Sequence, residues 1–600
     1  MLYPIDSETR EVKELNGLWD FQLDADNRGL SERWFEQTTL PGNTLRMPVP
    51  ASYNDITTEA RVRDHIGPVW YRRTFFVPRS WQGQRVAIRI GSASHRAIVW
   101  CNGVEIVRHK GGYLPFEGPA AEAIHYGAEN TIVVRVDNIL DWTTLPPGEI
   151  VTETGKPPYP PGYQHQVSYH DFFNYSGIHR PVRLVVTPPH GIEDITVVTT
   201  LDERRCGVVK VTVGSGAPQH RLTLHAADGA AVATDTGTTV ELQVSRPELW
   251  EPGHPYLYEL KVEALDENGE PFDVYRLPVG IRTIRIDGDR FLLNEKPFYF
   301  RGFGKHEDSD VRGKGLDEAL NQRDFNLLKW INANSFRTTH YPYSEEIMRM
   351  ADREGIVIID EVPAVGLYFF NDEDLPTKDV FTEKRAGKEL REHHKDCIRE
   401  MIARDKNHPC VVMWSLGNET ATHEDEGAQH YREVAALVRE LDSTRPLTIV
   451  EYNFAWFSKV GDTVDVLGVN RYYGWYFDTA RLDTIELKLM NELQEWHRKW
   501  KKPVLFTEYG ADTISGYHVL PSRMFSEEFQ IDYLDACNRV IDQCPFVIGE
   551  HVWNFADFQT KQGLVRFGGN KKGVFTRQRE PKAAAHYIRK RWQSQIEQDS

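Results

Sequence analysis

The sequence predicts a multidomain β and α/β protein in which two β-sandwiches precede a (β/α)8 barrel. Residues 1–281 read as short strands separated by turns, whereas apolar runs of strand length alternate with amphipathic helical patterns from about residue 282. A chain of 600 residues is also too long for a single hydrophobic core. We therefore expect a jelly-roll β-sandwich at 1–184, an immunoglobulin-like β-sandwich at 185–281 and a TIM barrel at 282–600.

The first sandwich is predicted from several runs that are typical of strands. Residues 69–78 are rich in β-branched and aromatic side chains, and residues 85–90 alternate polar with apolar positions. Asn102-Gly103 separates two further runs, and this dipeptide is the strongest short signal for a β-hairpin. In contrast, residues 146–166 are dense in proline and glycine, so we expect an ordered loop or lid there rather than a strand.

The second sandwich is predicted from similar runs at residues 194–199, 208–213 and 256–262. Its length fits an immunoglobulin-like domain, although the cysteine pair of antibody domains is absent from the sequence. Nothing in this stretch has the pattern of a catalytic site. We interpret it as a spacer that orients the other two domains.

The barrel is predicted from eight apolar runs with helical segments between them. The segment at residues 429–442 illustrates the helices, because its apolar residues recur at helical spacing without Gly or Pro. Such alternation is typical of parallel strands joined by right-handed crossovers. The eight runs are residues 298–303, 335–339, 356–360, 411–416, 447–450, 464–469, 504–507 and 546–549.

Composition excludes several classes of protein. The formal net charge of −17 argues against nucleic acid or an anionic membrane as a partner, since both favour basic surfaces. The sequence contains no apolar run of membrane-spanning length and no signal peptide at its start, so we expect a cytoplasmic protein unless a leader was removed. The six cysteines lack metal-site spacing and are too sparse for a disulfide scaffold.

Two glutamates follow apolar runs of the predicted barrel. Glu419 comes after the fourth run and Glu508 after the seventh, which places both at the end of the barrel where catalytic residues lie. Strands four and seven lie on opposite sides of the ring, so the carboxyls can face each other. Two carboxyl groups about 5 to 5.5 Å apart can cleave a glycosidic bond with retention of the anomeric configuration. The alternative for each glutamate alone is a structural ion pair.

The residues around both glutamates resemble a known family. Residues 414–419 (Trp-Ser-Leu-Gly-Asn-Glu) and 507–510 (Thr-Glu-Tyr-Gly) are similar to the acid/base and nucleophile signatures of the family 2 glycoside hydrolases. The domain order is also theirs, with a sugar-binding-like first sandwich, and the resemblance runs nearly end to end. Further stretches at 170–175, 304–308, 470–476 and 552–558 resemble the β-glucuronidases within the family.

The resemblance implies roles for individual residues. It implies that Glu508 is the nucleophile, that Glu419 is the acid/base residue and that Asn418 binds the sugar 2-hydroxyl. It also implies that Asn570 and Lys572 bind the carboxylate of a uronic acid, which a cation can recognise by a charge-assisted hydrogen bond. The other substrate-binding residues implied by the resemblance are Asp171, His340, Tyr472, Tyr476, Trp553 and Arg566.

Several alternatives remain open at this stage. Asp171 follows the Pro-rich stretch, and that region is either a contributor to the barrel mouth or an aromatic domain junction. Residues 570–572 are either a carboxylate site or a solvated basic loop. The acidic cluster at 306–310 can be mistaken for a metal site, but adjacent loop residues seldom aim at one ion, and we expect no metal and no cofactor.

The leading functional hypothesis is hydrolysis of β-D-glucuronides through a covalent glycosyl-enzyme, with a homo-oligomer (tetramer or dimer) as the expected assembly. The alternatives are a relative acting on a neutral sugar, transfer to another acceptor, and a sugar-binding protein without catalysis. The presence of both Glu419 and Glu508 argues against the last of these. Residues 367–376 are expected to overhang the entrance and to contact the leaving group.

Overall fold

The computed structural model describes residues 1–152, 159–160, 162–369 and 379–599. Its first unit is a β-sandwich, as predicted from the sequence. Two antiparallel sheets face each other across a core of buried aromatic and β-branched side chains. The strands of the smaller sheet are Glu11–Glu14, Arg85–Ile90, Phe116–Pro119 and Val182–Thr187. The strands of the larger sheet are Gly17–Leu23, Leu45–Val49, Pro68–Val77, Arg96–Cys101, Val104–Lys110 and Ala128–Asp137.

Local turn chemistry explains one hairpin of this sandwich. Strands Arg96–Cys101 and Val104–Lys110 pair antiparallel, and only Asn102 and Gly103 lie between them. Both residues have positive φ, 50° and 83°, as a two-residue hairpin turn of type I′ requires. The Asn-Gly signal in the sequence is therefore confirmed.

The prediction that residues 146–166 contain no strand is wrong. Strands Gly148–Thr152 and Gln164–Ser168 pair antiparallel within and beside this stretch. Pro146 and Pro147 precede the first strand and the other four prolines lie between the two strands in sequence, so none interrupts the pairing of the β-branched run at Ile150 and Val151. Residues 153–158 and 161 of the predicted loop lie outside the described residues.

The second unit is a smaller sandwich of three and four strands, in agreement with the immunoglobulin-like prediction. The three-stranded sheet holds Ile192–Leu201, Gly207–Ser215 and Thr239–Val244, and the four-stranded sheet holds Gln219–His225, Ala231–Thr236, Tyr258–Leu265 and Pro271–Val279. Alternate residues of both sheets point into a shared apolar core. A three-stranded sheet of Ile284–Asp287, Arg290–Leu293 and Lys296–Pro297 then leads into the barrel.

The third unit is a closed barrel of eight parallel strands, which confirms all eight predicted runs within a few residues. The strands are β1 (Phe300–Lys305), β2 (Ser335–Thr338), β3 (Val357–Glu361), β4 (Val411–Asn418), β5 (Leu447–Glu451), β6 (Val466–Asn470), β7 (Val504–Glu508) and β8 (Val547–Val552). The helices are α1 (Glu318–Trp330), α2 (Glu345–Glu354), α3 (Lys388–Asp405), α4 (Asp425–Leu441), α5 (Ile485–Trp500), α6 (Glu527–Ile541) and α7 (Ala583–Asp599).

The alternation of strand and helix fails at one position. Residues 452–465, between β5 and β6, are described throughout and form turns without a helix. This connection is too short to hold a helix of ordinary length that runs back antiparallel to the strands, together with a loop at each end of that helix. Two of the helices begin at serine caps: the Ser344 and Ser526 hydroxyls accept hydrogen bonds from the backbone N–H groups of Ile347 and Phe529.

None of the helices in the described part of the chain combines the length and apolar composition needed to cross a bilayer.

Candidate active site

The two predicted catalytic glutamates lie at the same end of the barrel. Glu508 is the last residue of β7, and Glu419 follows Asn418, the last residue of β4. Both strands are fully buried, so only their ends reach the mouth. Glu419 has a φ of 49°, a left-handed conformation that non-glycine residues adopt at a cost and that is concentrated at functional sites. Its backbone N–H donates to the carbonyl of Val450, which fixes this turn.

The Glu508 carboxylate is held by two fixed donors. The Nη2 of Arg337 donates to Oε1, and the hydroxyl of Tyr472 donates to Oε2 at 2.7 Å. His340 lies on the same side, with its Nε2 3.9 Å from Oε1. These two hydrogen bonds, one to each oxygen, orient the Glu508 carboxylate.

Arg337 joins Glu508 to a second buried carboxylate. Its Nη1 donates to both oxygens of Glu361 at 2.8 Å, and also contacts Oδ1 of Asn418 at 3.3 Å. Although burial acts in the opposite direction, the Arg337 guanidinium and His340 lower the pKa of Glu361. One guanidinium therefore positions residues at the ends of β3, β4 and β7.

Glu419 has the properties of a carboxylic acid that keeps its proton. Burial, followed by the charge of Glu508, raises the pKa of Glu419 to about 8. The Nδ2 of Asn470 donates to Oε1 of Glu419 at 2.9 Å and to Oδ1 of Asn418 at 3.2 Å. The hydroxyl of Thr507 donates to Oδ1 of Asn470 at 2.7 Å, which fixes the orientation of that amide. Burial and the charge of Glu508 thus favour the protonated form of Glu419, as a proton donor requires.

Lys572 occupies an aromatic box beside these glutamates. Its side chain is fully buried, and its Nζ lies 4.6 Å, 5.2 Å and 5.8 Å from the ring centroids of Tyr476, Trp475 and Tyr472. Nζ donates to the Tyr476 hydroxyl at 2.8 Å and to Oδ2 of Asp512. These are the two acceptors of Nζ among the described residues. An ammonium group has three N–H donors, so the third is available to a ligand.

A second cation, Arg566, completes this corner of the mouth. Its Nε donates to both oxygens of Asp171 at 2.9 and 3.0 Å, and its Nη2 donates to the Tyr476 hydroxyl at 2.7 Å. Nδ2 of Asn570 also donates to Asp171 at 2.9 Å, and Oδ1 of Asn570 accepts from the N–H of Lys572. Despite the opposing effect of burial, Arg566 lowers the pKa of Asp171. Asp171 therefore reaches the mouth from the first sandwich.

An aromatic wall closes the remaining side. The rings of His340 and Trp553 are stacked with their centroids 5.2 Å apart, and His306 meets both rings edge to face. Nδ1 of His340 lies 2.9 Å from Oε1 of Glu361, which fixes the plane of the imidazole. The structure thus brings every site residue predicted from the sequence to one end of the barrel.

Four further residues belong to this site and were not identified from the sequence: Arg337, Glu361, Asn470 and Asp512. Arg337 carried a usable signal, because a charged residue inside a buried strand needs a partner. Asp512 lies four residues beyond Glu508 in a loop, where no pattern distinguishes it from a solvated carboxylate. The predicted entrance segment, residues 367–376, lies outside the described residues from 370 onward.

Potential metal ligands come together elsewhere. In the part of the chain that the structure describes, one group of three has ligand atoms within 4.8 Å of one another, namely Asp352, His408 and Cys410. His408 and Cys410 precede β4, so this group lies at the opposite end of the barrel from Glu419.

Comparison with known proteins gives a consistent family assignment. The model of the glycosyl hydrolases family 2 TIM barrel domain matches residues 284–596, the sugar binding domain model of that family matches 12–188, and a third model, glycosyl hydrolases family 2, matches 190–282. A beta-glucuronidase from Paenibacillus borealis is 53% identical over 594 residues, which is 99% of this chain and 98% of the relative.

Two solved structures extend the similarity to the whole fold. The beta-D-glucuronidase of Dictyoglomus thermophilum has a TM-score of 0.94 and 49% identity, with 99% of each chain covered. The Ruminococcus gnavus β-glucuronidase in complex with D-glucuronic acid has a TM-score of 0.92 and 40% identity, covering 98% of this chain and 99% of that chain. This chain belongs to family 2 of the glycosyl hydrolases.

Proposed function

We propose that this protein hydrolyses β-D-glucuronides to D-glucuronate and an alcohol, with retention of the anomeric configuration. The observation that carries the proposal is the position of buried Lys572, with one N–H donor unused among the described residues, beside Glu508 and a Glu419 whose pKa is raised. The similarity to beta-glucuronidases over the whole chain supports the same substrate class.

The first half-reaction forms a covalent intermediate. An oxygen of Glu508 attacks the anomeric carbon, and the bond from that carbon to the leaving oxygen breaks. Glu419 gives its proton to the leaving oxygen, so the aglycone departs as a neutral alcohol. Arg337 and Tyr472 orient the attacking carboxylate, while Asn470 bonds Oε1 of Glu419, so we assign the transferred proton to Oε2.

The second half-reaction restores the enzyme. Glu419, now ionised, takes a proton from water, and the resulting hydroxide equivalent attacks the anomeric carbon. The bond to Glu508 breaks, and the sugar leaves with its original configuration. The pKa of Glu419 is raised chiefly by burial, with the charge of Glu508 as the next cause, and Glu508 is neutralised while it carries the sugar. Glu419 therefore ionises more readily at the stage where a base is required.

The uronic acid carboxylate is assigned to the corner formed by Lys572, Arg566 and Tyr476. Two cations face two carboxylates there, Asp171 and Asp512. A substrate carboxylate can accept from the third N–H of Lys572 and from the hydroxyl of Tyr476, whose oxygen already accepts from both cations. A neutral sugar offers no charge to this corner, and this difference gives selectivity.

The test compares release of a chromogenic phenol from its β-D-glucuronide, β-D-glucoside and β-D-galactoside. We expect selective cleavage of the glucuronide, loss of all activity in Glu508→Gln, and loss of about 10-fold or more in kcat/KM for the glucuronide in Lys572→Ala. Cleavage of a neutral glycoside at an equal rate contradicts the substrate assignment. Absence of cleavage of any sugar contradicts the catalytic assignment.

We also propose that the protein forms a homo-oligomer, either a dimer or a tetramer. The loop that carries Arg566 exposes Leu564, Val565 and Phe567, which are 107%, 72% and 76% accessible. Three exposed apolar side chains in one short loop support contact with a second copy of the chain. Light scattering after size exclusion tests this, and a monomer at assay concentration contradicts it.

A further inference from the structure

Arg282 differs from every other buried arginine in the described part of the chain. Eleven arginines are buried there, and ten of them have a carboxylate oxygen within salt-bridge distance. Arg282, at 7% exposure, has no such partner among the described residues. A buried charge without a counter-charge is costly, so the exception requires an explanation.

The protein atoms around Arg282 satisfy its hydrogen bonds only in part. Nε donates to the carbonyl of Pro409 at 2.5 Å and Nη2 donates to the carbonyl of Val411 at 2.7 Å, and both acceptors are neutral. Nη1 has no protein partner in the described ranges. Burial, followed by the neighbouring Arg445 guanidinium, lowers the pKa of Arg282 to about 9. The guanidinium is thus charged near neutral pH and has donors to spare.

A cavity opens beside this guanidinium. It has a volume of about 270 Å³ and lies between the second sandwich and the barrel, with Arg282, Thr283, Lys406 and Ser443 in its wall. The hydroxyl of Thr283 is buried without a hydrogen-bond partner in the structure. Nζ of Lys406 bonds Oδ2 of Asp194, and Arg445, also in the wall, pairs with Asp442. Asp442 and Asp352 act on Arg282 only from beyond salt-bridge distance, so no carboxylate among the described residues pairs with it directly.

We propose that this cavity is a binding site for a small inorganic oxyanion, such as sulfate or phosphate, held by Arg282 and the Thr283 hydroxyl. A tetrahedral oxyanion supplies the missing charge and several acceptor oxygens, and the cavity is several times larger than a water molecule. The net charge of −17 disfavours loose adsorption of anions, so occupancy depends on a built site of this kind.

The proposed site is separate from the catalytic one. Pro409 precedes β4 and Ser443 precedes β5, so the cavity lies at the end of the barrel opposite to Glu419 and Glu508. It also joins two domains, because Val198 and Thr199 of the second sandwich lie in its wall. An anion bound there stabilises the folded chain by mass action without contact with the sugar.

The experiment measures sulfate and phosphate binding to the full chain by isothermal titration calorimetry. The Lys572→Ala background is used so that the cation of the catalytic site does not contribute, and sodium chloride at equal ionic strength serves as the blank. Three variants are compared in that background. Arg282→Met removes the charge, Thr283→Val removes the unpartnered hydroxyl and keeps the side-chain shape, and Arg246→Met is a matched control on the exposed surface of the same sandwich.

We expect one saturable oxyanion site per chain, lost in Arg282→Met, weakened about 2- to 10-fold in Thr283→Val and unchanged in Arg246→Met. If Arg282→Met does not fold, Thr283→Val decides the question. Absence of saturable binding, or equal binding in all variants, overturns the proposal. Arg282 would then serve only as a hydrogen-bond donor to the Pro409 and Val411 carbonyls. Activity on the glucuronide is not a readout here, so this result is independent of the proposed function.

Discussion

The side-chain amide of Asn470 donates a hydrogen bond to Oε1 of Glu419 at 2.9 Å, and this contact positions the proposed acid/base residue. Asn470 is the last residue of β6, whereas Glu419 follows β4. The amide cannot turn over without loss, because its oxygen accepts from Thr507 at 2.7 Å. Within the described ranges no hydrogen bond reaches Oε2 of Glu419, so this oxygen is available for the transferred proton.

The pH dependence of kcat/KM follows from the protonation of Glu419. The acid form is required, and its pKa of about 8 is raised by burial and then by Glu508. Activity is therefore expected to be retained below this value and lost as the pH rises through it. In Glu419→Gln, the loss is expected to reach about 10²- to 10⁴-fold for poor leaving groups and to be smaller for an activated phenol. An alkaline limb that persists in Glu419→Gln contradicts the assignment.

Removal of the Asn470 amide is expected to shift the alkaline limb of the pH profile to higher pH. The hydrogen bond from Asn470 lowers the pKa of Glu419, so Asn470→Ala raises it further. The rate with poor leaving groups falls because the acid is both weaker and less well oriented. Thr507→Val, which leaves the amide in place but frees its orientation, is expected to give a smaller effect in the same direction. The measurement is a pH profile of each variant, and an unmoved limb in Asn470→Ala refutes this role.

Replacement of Arg337 by glutamine is expected to destabilise the protein as well as inactivate it. Arg337 is fully buried and pairs with Glu361 and Glu508, so its loss leaves buried carboxylates without a counter-charge. Breaking a buried pair in this way costs about 3–5 kcal/mol. Chemical denaturation followed by tryptophan fluorescence checks the loss, with Arg246→Gln on the surface as control. Wild-type stability of Arg337→Gln disproves the prediction.

Gly510 permits a close approach of two active-site loops. A Cβ at this position lies 1.8 Å from the carbonyl oxygen of Trp553, which is incompatible with the backbone as it stands. Gly510→Ala is therefore expected to displace Trp553 and to reduce kcat by more than about tenfold, because catalysis is sensitive to small misplacements. Gly563→Ala is the matched control, since a Cβ there meets nothing within 4 Å. Equal kcat values in the two variants contradict this account.

Local patterns in the sequence were sufficient for much of the architecture. The eight barrel strands, the Asn102-Gly103 hairpin and the position of Glu419 and Glu508 at strand ends depend on periodicity and turn chemistry over a few residues. The direction of parallel strands then places both glutamates at one mouth, because all strand ends meet there. The prediction of a loop at residues 146–166 is wrong because it gave more weight to the proline and glycine content than to the short β-branched runs at the edges of the stretch.

The partners of the charged side chains were decided by the tertiary structure alone. Asp171 and Arg566 are 395 residues apart in sequence, and Lys572 meets Asp512 across a separation of 60. No periodicity specifies such pairs, because which donor meets which acceptor depends on how distant elements pack. The same reason applies to Arg282: the sequence identifies a cation, and only the packing of sandwich against barrel shows that it lacks a carboxylate partner among the described residues.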